Sequence, residues 1–202
     1  MAGPLDVPPD ALLVRFRWPG SDPSEADPSE TLRALLAGDP VVRDLRVFRA
    51  LETDEGHACV DIARDEAAGA RLAAALRDAL RNALPGAEVL RLAAMTRVAG
   101  ASAGEAAPWH YVVETDVQPG CEEDFNAWYE QEHLPGLASV PGTVRAMRYR
   151  NVDGHPRYRA CYDLVRAEIL GSPPWLAVRA TPWSGRVRPT FVNTRRTMFR
   201  RA

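Results

Sequence analysis

Residues 125–150, FNAWYEQEHLPGLASVPGTVRAMRYR, put a Trp, a Tyr, a Glu and a His into one short helical stretch that stops at a Leu-Pro step. At about 100° per residue, Phe125, Trp128, Tyr129 and Glu132 share one face of that helix, and His133 lies at its edge. A carboxylate on an apolar face is either paired or lines a pocket, because burying it ionised and alone is costly. The Val140-Pro141-Gly142 turn then leads into a strand on which Arg148 and Arg150 alternate along one face.

Outward from this stretch, Trp109–Val117 alternates as a strand, Glu122–Leu137 is the helix, and Thr143–Asn151 and Tyr158–Val165 pair across Val152–Pro156, which carries an Asp-Gly. A weaker helix near Ala167–Leu170 is interrupted by Pro173-Pro174, and Pro189–Phe199 closes as a strand. Pro173 through Trp183 reads as either a mobile lid or an irregular helix. The first half has the same order: a strand over Leu12–Trp18, a helix over Ser29–Ala37, strands over Leu45–Leu51 and His57–Ala63, a long helix over Glu66–Ala83, and a strand over Glu88–Val98. The pattern βαββαβ thus occurs twice, in residues 1–98 and 108–202, joined by the Ala-, Gly- and Ser-rich linker 99–107.

The expected fold class is α+β: two tandem ferredoxin-like units, each an antiparallel sheet with helices on one face. Leu12-Leu13-Val14 and Tyr111-Val112-Val113 are apolar on both strand faces, which implies that the two sheets pack against each other into an intramolecular α+β barrel. The other arrangement is two chains pairing through their second halves, so the chain is either a monomer with an internal pseudo-dimer or a homodimer.

With 202 residues, 46% of them hydrophobic and 26% charged, the chain has the make-up of an ordinary soluble globule. A net charge of -2 and scattered basic residues offer no field for a phosphate backbone, so no nucleic-acid partner is expected. No apolar run approaches the roughly 20 residues that span a bilayer, and MAGPLDVPPDALL lacks the pattern of an export signal. No membrane partner and a cytoplasmic location follow as expectations. Cys59, Cys121 and Cys161 are odd in number and widely spaced, which suits reduced thiols. Every basic side chain is Arg, which removes Lys Schiff-base chemistry. Metal-ligand, phosphate-loop, dinucleotide and serine-hydrolase signatures are all missing, so no metal is expected.

The string Phe125-x-x-Trp128-Tyr129-x-x-x-His133-Leu134-Pro135, followed by Val140-Pro141-Gly142 and Arg145-x-x-Arg148-Tyr149, resembles the dimeric α+β barrel superfamily, and most of all its EthD-like branch. The resemblance covers about the last 95 residues; the first half shares the element order but not the motif. It implies a pocket between helices and sheet in each unit, and it covers cofactor-free monooxygenases, cyclases, isomerases, decarboxylases and haem enzymes alike, so fold does not choose the activity. Residues 29–45, SETLRALLAGDPVVRDL, hold no Trp, Tyr or His, which makes the first unit a degenerate scaffold and leaves one pocket, in the second.

His133 is the leading catalytic candidate, because imidazole titrates near neutral pH; the plainer reading is a cation at a helix C-terminus. Glu132 either pairs with Arg148 or acts in proton transfer, and Arg148 either pairs with it or steadies an enolate. Trp128 and Tyr129 are core, pocket wall or a stacking surface for a flat substrate. Tyr158, Ala160 and Tyr162 alternate on one strand face; if that face meets the helix, Tyr158 and Tyr162 join the substrate site with Arg148 and Arg150, and if it meets water they are surface. His110 either reaches the pocket or faces solvent, and His57 and His155 sit beside turns and are expected to be exposed.

Three functions follow. The first is a cofactor-independent enzyme performing acid/base chemistry (isomerisation, cyclisation or decarboxylation) on a small hydrophobic, cyclic or polyketide-like molecule. The second is a monooxygenase of the same fold acting on an electron-rich phenol, without cofactor or with flavin or haem. The third is a non-catalytic carrier or sensor that binds such a molecule.

Overall fold

The structure, a computed structural model, describes residues 9–20 and 27–202; residues 1–8, part of the stretch read for an export signal, lie outside the described residues. Two compact units divide the chain: Met1–Ala94 with Arg201–Ala202, and Met95–Arg200.

Unit 1 runs β1 (Asp10–Arg17), α1 (Pro28–Leu36), β2 (Val42–Ala50), β3 (Glu55–Ile62), α2 (Glu66–Ala83) and β4 (Glu88–Ala99). Its strands lie in the order β4-β1-β3-β2, all antiparallel. α1 starts where the Asp27 carboxylate accepts from the Ser29 amide at 2.7 Å and Pro28 takes the first helical position, which needs no N–H. α2 starts at Asp65, which accepts from the Ala68 amide at 2.9 Å. Leu72, Leu76 and Leu80 then recur one turn apart and join Leu12, Val14, Phe16 and Val60 in one core. His57, expected in an exposed turn, is instead buried on β3, its Nε2 2.7 Å from Glu55 Oε1. Strand β3 begins two residues earlier than the Gly-rich turn implied.

Unit 2 repeats the plan with β5 (Trp109–Val117), α3 (Glu122–Trp128), a π turn (Tyr129–His133), α4 (Leu134–Ala138), β6 (Thr143–Asn151), β7 (Tyr158–Leu164), a 3-10 turn (Ala167–Ile169), α5 (Pro173–Arg179), α6 (Pro182–Val187), a second 3-10 turn (Arg188–Thr190) and β8 (Phe191–Arg201). The strand order β8-β5-β7-β6 is that of unit 1, so the α+β class and the tandem repeat stand as expected. In place of a single second helix, unit 2 has the short pair α5 and α6. Pro173-Pro174, read as an interruption, start α5, and Pro182 starts α6, at positions where a missing N–H costs nothing. Pro189 belongs to the 3-10 turn, and β8 starts at Phe191.

The segment 99–107, read as a linker, is tied to unit 2: the Gly100 amide donates to the Val144 carbonyl at 2.9 Å, Ala101 to Ala138 at 2.8 Å and Ser102 to Thr143 at 2.9 Å. The core of unit 2 is aromatic, with Phe125, Trp128, Tyr129, Tyr162 and Trp175 all buried. Burial of such side chains contributes roughly 2–3 kcal/mol each. Among the described residues no helix is long and apolar enough to cross a membrane, and the three cysteines are free.

The Val140-Pro141-Gly142 turn has a packing reason. Gly142 has φ of +94°, and its carbonyl accepts from the Val165 amide at 2.9 Å, so the turn carries α4 into β6 while holding the end of β7. A Cβ at Gly142 would run into the Ile169 side chain, in a backbone conformation already costly for an L-residue. Gly142→Ala is expected to lower unfolding free energy by about 3 kcal/mol, measured by urea denaturation. Gly154→Ala, where a Cβ meets nothing within 4 Å, is expected to change it by less than about 0.5 kcal/mol.

Candidate functional site

The helix that carries the aromatic cluster is not a regular α-helix. Pro135 has no N–H to give to the Gln131 carbonyl, and its ring crowds that turn. The chain answers with a π turn over Tyr129–His133, in which the Leu134 amide bonds to the Tyr129 carbonyl five residues back. Residues five apart then lie above one another. The Trp128 and His133 rings stack at 4.0 Å between centroids, 19° from parallel, with Tyr129 edge-on to both. His133 is therefore on the inner face of the helix and buried, not at its edge.

Glu132 does not pair with Arg148. Its Oε1 accepts from Thr181 Oγ1 at 2.6 Å and from Trp128 Nε1 at 3.2 Å. Thr181 in turn caps α6 by accepting from the Ser184 amide at 3.1 Å, and Ser184 Oγ accepts from Trp128 Nε1 at 3.3 Å while donating to the Val178 carbonyl at 3.2 Å. Asp124, one turn before Trp128, accepts from Trp183 Nε1 at 2.8 Å and from Arg186 at 3.0 Å. Gly136 lets α5 approach, since a Cβ there would sit 2.8 Å from Val178. The segment read as a lid or an irregular helix is a two-helix cap held on α3 and α4 by these contacts.

Arg148 lies on the other side of Tyr129. It is buried, its guanidinium 4.2 Å from the Tyr129 ring centroid and 5.2 Å from that of Phe125, and Nη2 donates to Asn126 Oδ1 at 2.9 Å. The strand phase read from sequence is right, because Arg148, Tyr158 and Tyr162 all face the helix; Arg150, at the strand end, is exposed. Tyr158 packs on Phe125 at 4.8 Å and opens onto a separate recess beside Asp116 and His155. His110 is buried on β5 and lines neither the recess beside Tyr158 nor the one beside His133. Its Nδ1 is 2.6 Å from Asp163 Oδ1, and Asp163 also accepts from Arg145.

A recess lined by His133 lies between α3, the cap and the sheet of unit 2. It has about 30 Å³ of space for water and about 350 Å³ of open space counted with its mouth. Trp128, Tyr129 and His133 form one wall, and Tyr111, Tyr162 and Trp175 another, with Trp175 edge-on to Tyr162 at 5.2 Å and to Tyr111 at 6.1 Å. Among the described residues, His133 Nδ1 and Tyr162 Oη are buried without a hydrogen-bond partner. Such groups are uncommon in a finished core and normal where a ligand is awaited.

Burial holds the His133 pKa down to about 3, helped by Arg179, Arg188 and Arg148, so the imidazole is neutral at physiological pH. Burial also pushes Tyr129 up to about 12, against the pull of Arg148, and raises Tyr162 well above the usual phenol range, so both phenols keep their protons. The recess thus offers a neutral imidazole and a protonated phenol as hydrogen-bonding groups.

Sequence reading named four of these wall residues: Trp128, Tyr129, His133 and Tyr162. It missed Tyr111 and Trp175, although Trp175 follows the Pro-Pro step that starts α5. It also missed Arg179, Arg188 and Arg196, which line the recess from three elements and share no spacing that sequence could show. This recess is small for a haem or flavin: its 350 Å³, counted with the mouth, is at the bottom of the range of small-molecule pockets.

The chain matches no family model, and no curated protein matches it by sequence. Solved structures do. A candidate monooxygenase from Lactobacillus acidophilus NCFM matches with a TM-score of 0.66 at 13% identity, over 96% of this chain and 94% of that one. An anthrone oxidase-like protein matches at 0.58 and 13% identity, over 98% and 92%. A ferredoxin-fold protein from Listeria monocytogenes 4b F2365, related to antibiotic biosynthesis monooxygenases, matches at 0.57 and 6% identity, over 97% and 96%. At these identities the likeness shows the fold: α+β, built of ferredoxin-like units, the class of the α+β barrels.

Proposed function

We propose that unit 2 carries the active site of a cofactor-independent enzyme that removes a proton from a flat, one- or two-ring substrate and holds the resulting anion. The observation that carries this reading is the neutral, buried His133, stacked on Trp128 and lining the recess, with Nδ1 unpartnered. His133 is the base for an acidic C–H or O–H, and Tyr162, kept protonated by burial, donates to the developing enolate or phenolate oxygen. Trp128, Tyr129 and Trp175 exclude water and stack on the ring. Glu132 is a positioning residue that fixes Trp128 and the cap, while Arg148 backs Tyr129. Isomerisation and cyclisation proceed from that anion, decarboxylation arrives at it by loss of CO₂, and the EthD-like branch remains the family reading that these residues favour.

A second reading has a specific observation behind it. The 30 Å³ of water-accessible space in the recess that His133 lines is enough for dioxygen or about two waters, and the similar structures include a candidate monooxygenase and an anthrone oxidase-like protein. In that version O₂ takes electrons from the substrate anion that His133 generates.

His133→Phe keeps a ring on Trp128 and removes the base. It is expected to slow deuterium exchange at the acidic carbon of 2-tetralone at least about 100-fold, measured by NMR in D₂O; a variant that keeps the wild-type rate overturns the proton-transfer role. An oxygen electrode with 1,4-dihydroxynaphthalene separates the two readings, since only the oxygenase consumes O₂ in step with substrate.

The pH behaviour follows from burial. The folded-state pKa of His133, about 3, lies below the value of about 6.5 in the unfolded chain. Between those values the unfolded chain binds the proton that the fold refuses, so stability falls as pH drops through that window and levels off below it. The wild type is expected to lose up to about 1.4 kcal/mol per pH unit more than His133→Phe between pH 6 and 4, measured by urea denaturation. The His133 ring shifts in NMR are expected to stay constant from pH 7 to 4.

A further inference from the structure

The geometry points to an anion-recognition function for the recess of unit 2 that His133 lines: Arg179 at the end of α5, Arg188 in the 3-10 turn and Arg196 on β8 converge there to bind a carboxylate carried by the substrate. This rests on the reading of the recess as the substrate site and names the class of molecule it takes, a flat ring bearing a carboxylate.

Three observations carry the inference. First, none of the three guanidiniums forms an ion pair among the described residues, while the carboxylates near them are committed elsewhere. Asp124 holds Arg186 and Trp183, and Glu132 holds Thr181 and Trp128.

Second, the chain separates paired from unpaired arginines on adjacent positions of one strand. Arg195, opposite Glu114 on β5, gives it a hydrogen bond at 2.8 Å; Arg196, opposite Val113, turns to the recess that Val113 also lines. An arginine placed only to be solvated needs no such sorting.

Third, the three like charges act on each other and on the groups around them. Arg188 is held below the usual guanidinium range by partial burial and by Arg179 and Arg196, and Arg179 and Arg188 also oppose protonation of His133. Like charges held together around a low-dielectric recess repel, and an anion seated among them relieves that repulsion. Planar guanidinium groups suit a planar carboxylate, to which each can give two parallel N–H bonds. The unpartnered Tyr162 Oη, itself buried, adds a neutral donor in the same recess.

The test uses benzoate and its neutral counterpart benzamide, titrated into the full-length protein and followed by the fluorescence of Trp128 and Trp175, with calorimetry in parallel. Benzoate is expected to bind at least tenfold more tightly than benzamide and to weaken as salt is raised. Arg179→Gln, Arg188→Gln and Arg196→Gln are each expected to weaken benzoate about tenfold without changing benzamide, and Arg195→Gln is expected to change neither. All three positions are at least partly exposed, so the variants are expected to fold, which circular dichroism checks. Equal affinities for benzoate and benzamide, absence of saturable benzoate binding, or a folded triple variant that keeps the preference overturns the proposal. His133→Phe is expected to keep benzoate binding. Anion recognition and proton transfer are thus read by different variants, and either can fail while the other stands.

Discussion

The stack of His133 on Trp128 is the contact on which the second unit's site depends, and it exists because one hydrogen bond cannot form. Pro135 withholds an N–H from the helix, the preceding turn widens to a π turn, and two residues five apart come face to face at 4.0 Å. In an unbroken α-helix His133 would sit at the edge of the apolar face. The bulge moves it inside, where burial strips it of its proton and Trp128 fixes the plane of its ring. A motif that looks like a helix stop is a device for turning an imidazole inward.

The acidic residues of the same helix have a different task. Carboxylates beside a candidate base invite a catalytic reading, yet Glu132 and Asp124 spend their acceptor capacity on Thr181, Trp128, Trp183 and Arg186. Each of those partners belongs to the cap or to the wall of the recess. The polar atoms on this helix form a chain from Glu132 through Thr181 and Ser184 back to Trp128, and such closed networks hold geometry more firmly than single bonds. Trp128 is the shared member, stacking on His133 with its ring and anchoring the cap with its indole N–H.

Charge is distributed just as selectively within unit 2. His110, Asp163 and Arg145 form one charged cluster, and Glu114 with Arg159 and Arg195 forms another. The recess differs in its charges: Arg179, Arg188 and Arg196 line it and form no ion pair among the described residues. Cations paired elsewhere and left without a counter-charge around one recess have the electrostatic form of a binding site.

The sequence by itself determined most of the strands, the long helix of the first unit and the twofold element order, because hydrophobic periodicity, caps and turn residues are local properties of the chain. Glu66–Ala83, Trp109–Val117 and Thr143–Asn151 have the same bounds in sequence and structure for that reason. It also located the helix that carries His133 and the strand face that carries Tyr162. Only the tertiary structure decided what those residues touch. The π turn changed the angular position of His133, Thr181 rather than Arg148 took the hydrogen bond of Glu132, and prolines at 173 and 182 began helices that close the recess. Arg179, Arg188 and Arg196 come from three elements, and their convergence is a product of packing, which leaves no periodic trace in the chain. Burial then set the ionisation of His133, Tyr129 and Tyr162, since a pKa responds to the medium around a group and not to its neighbours in sequence.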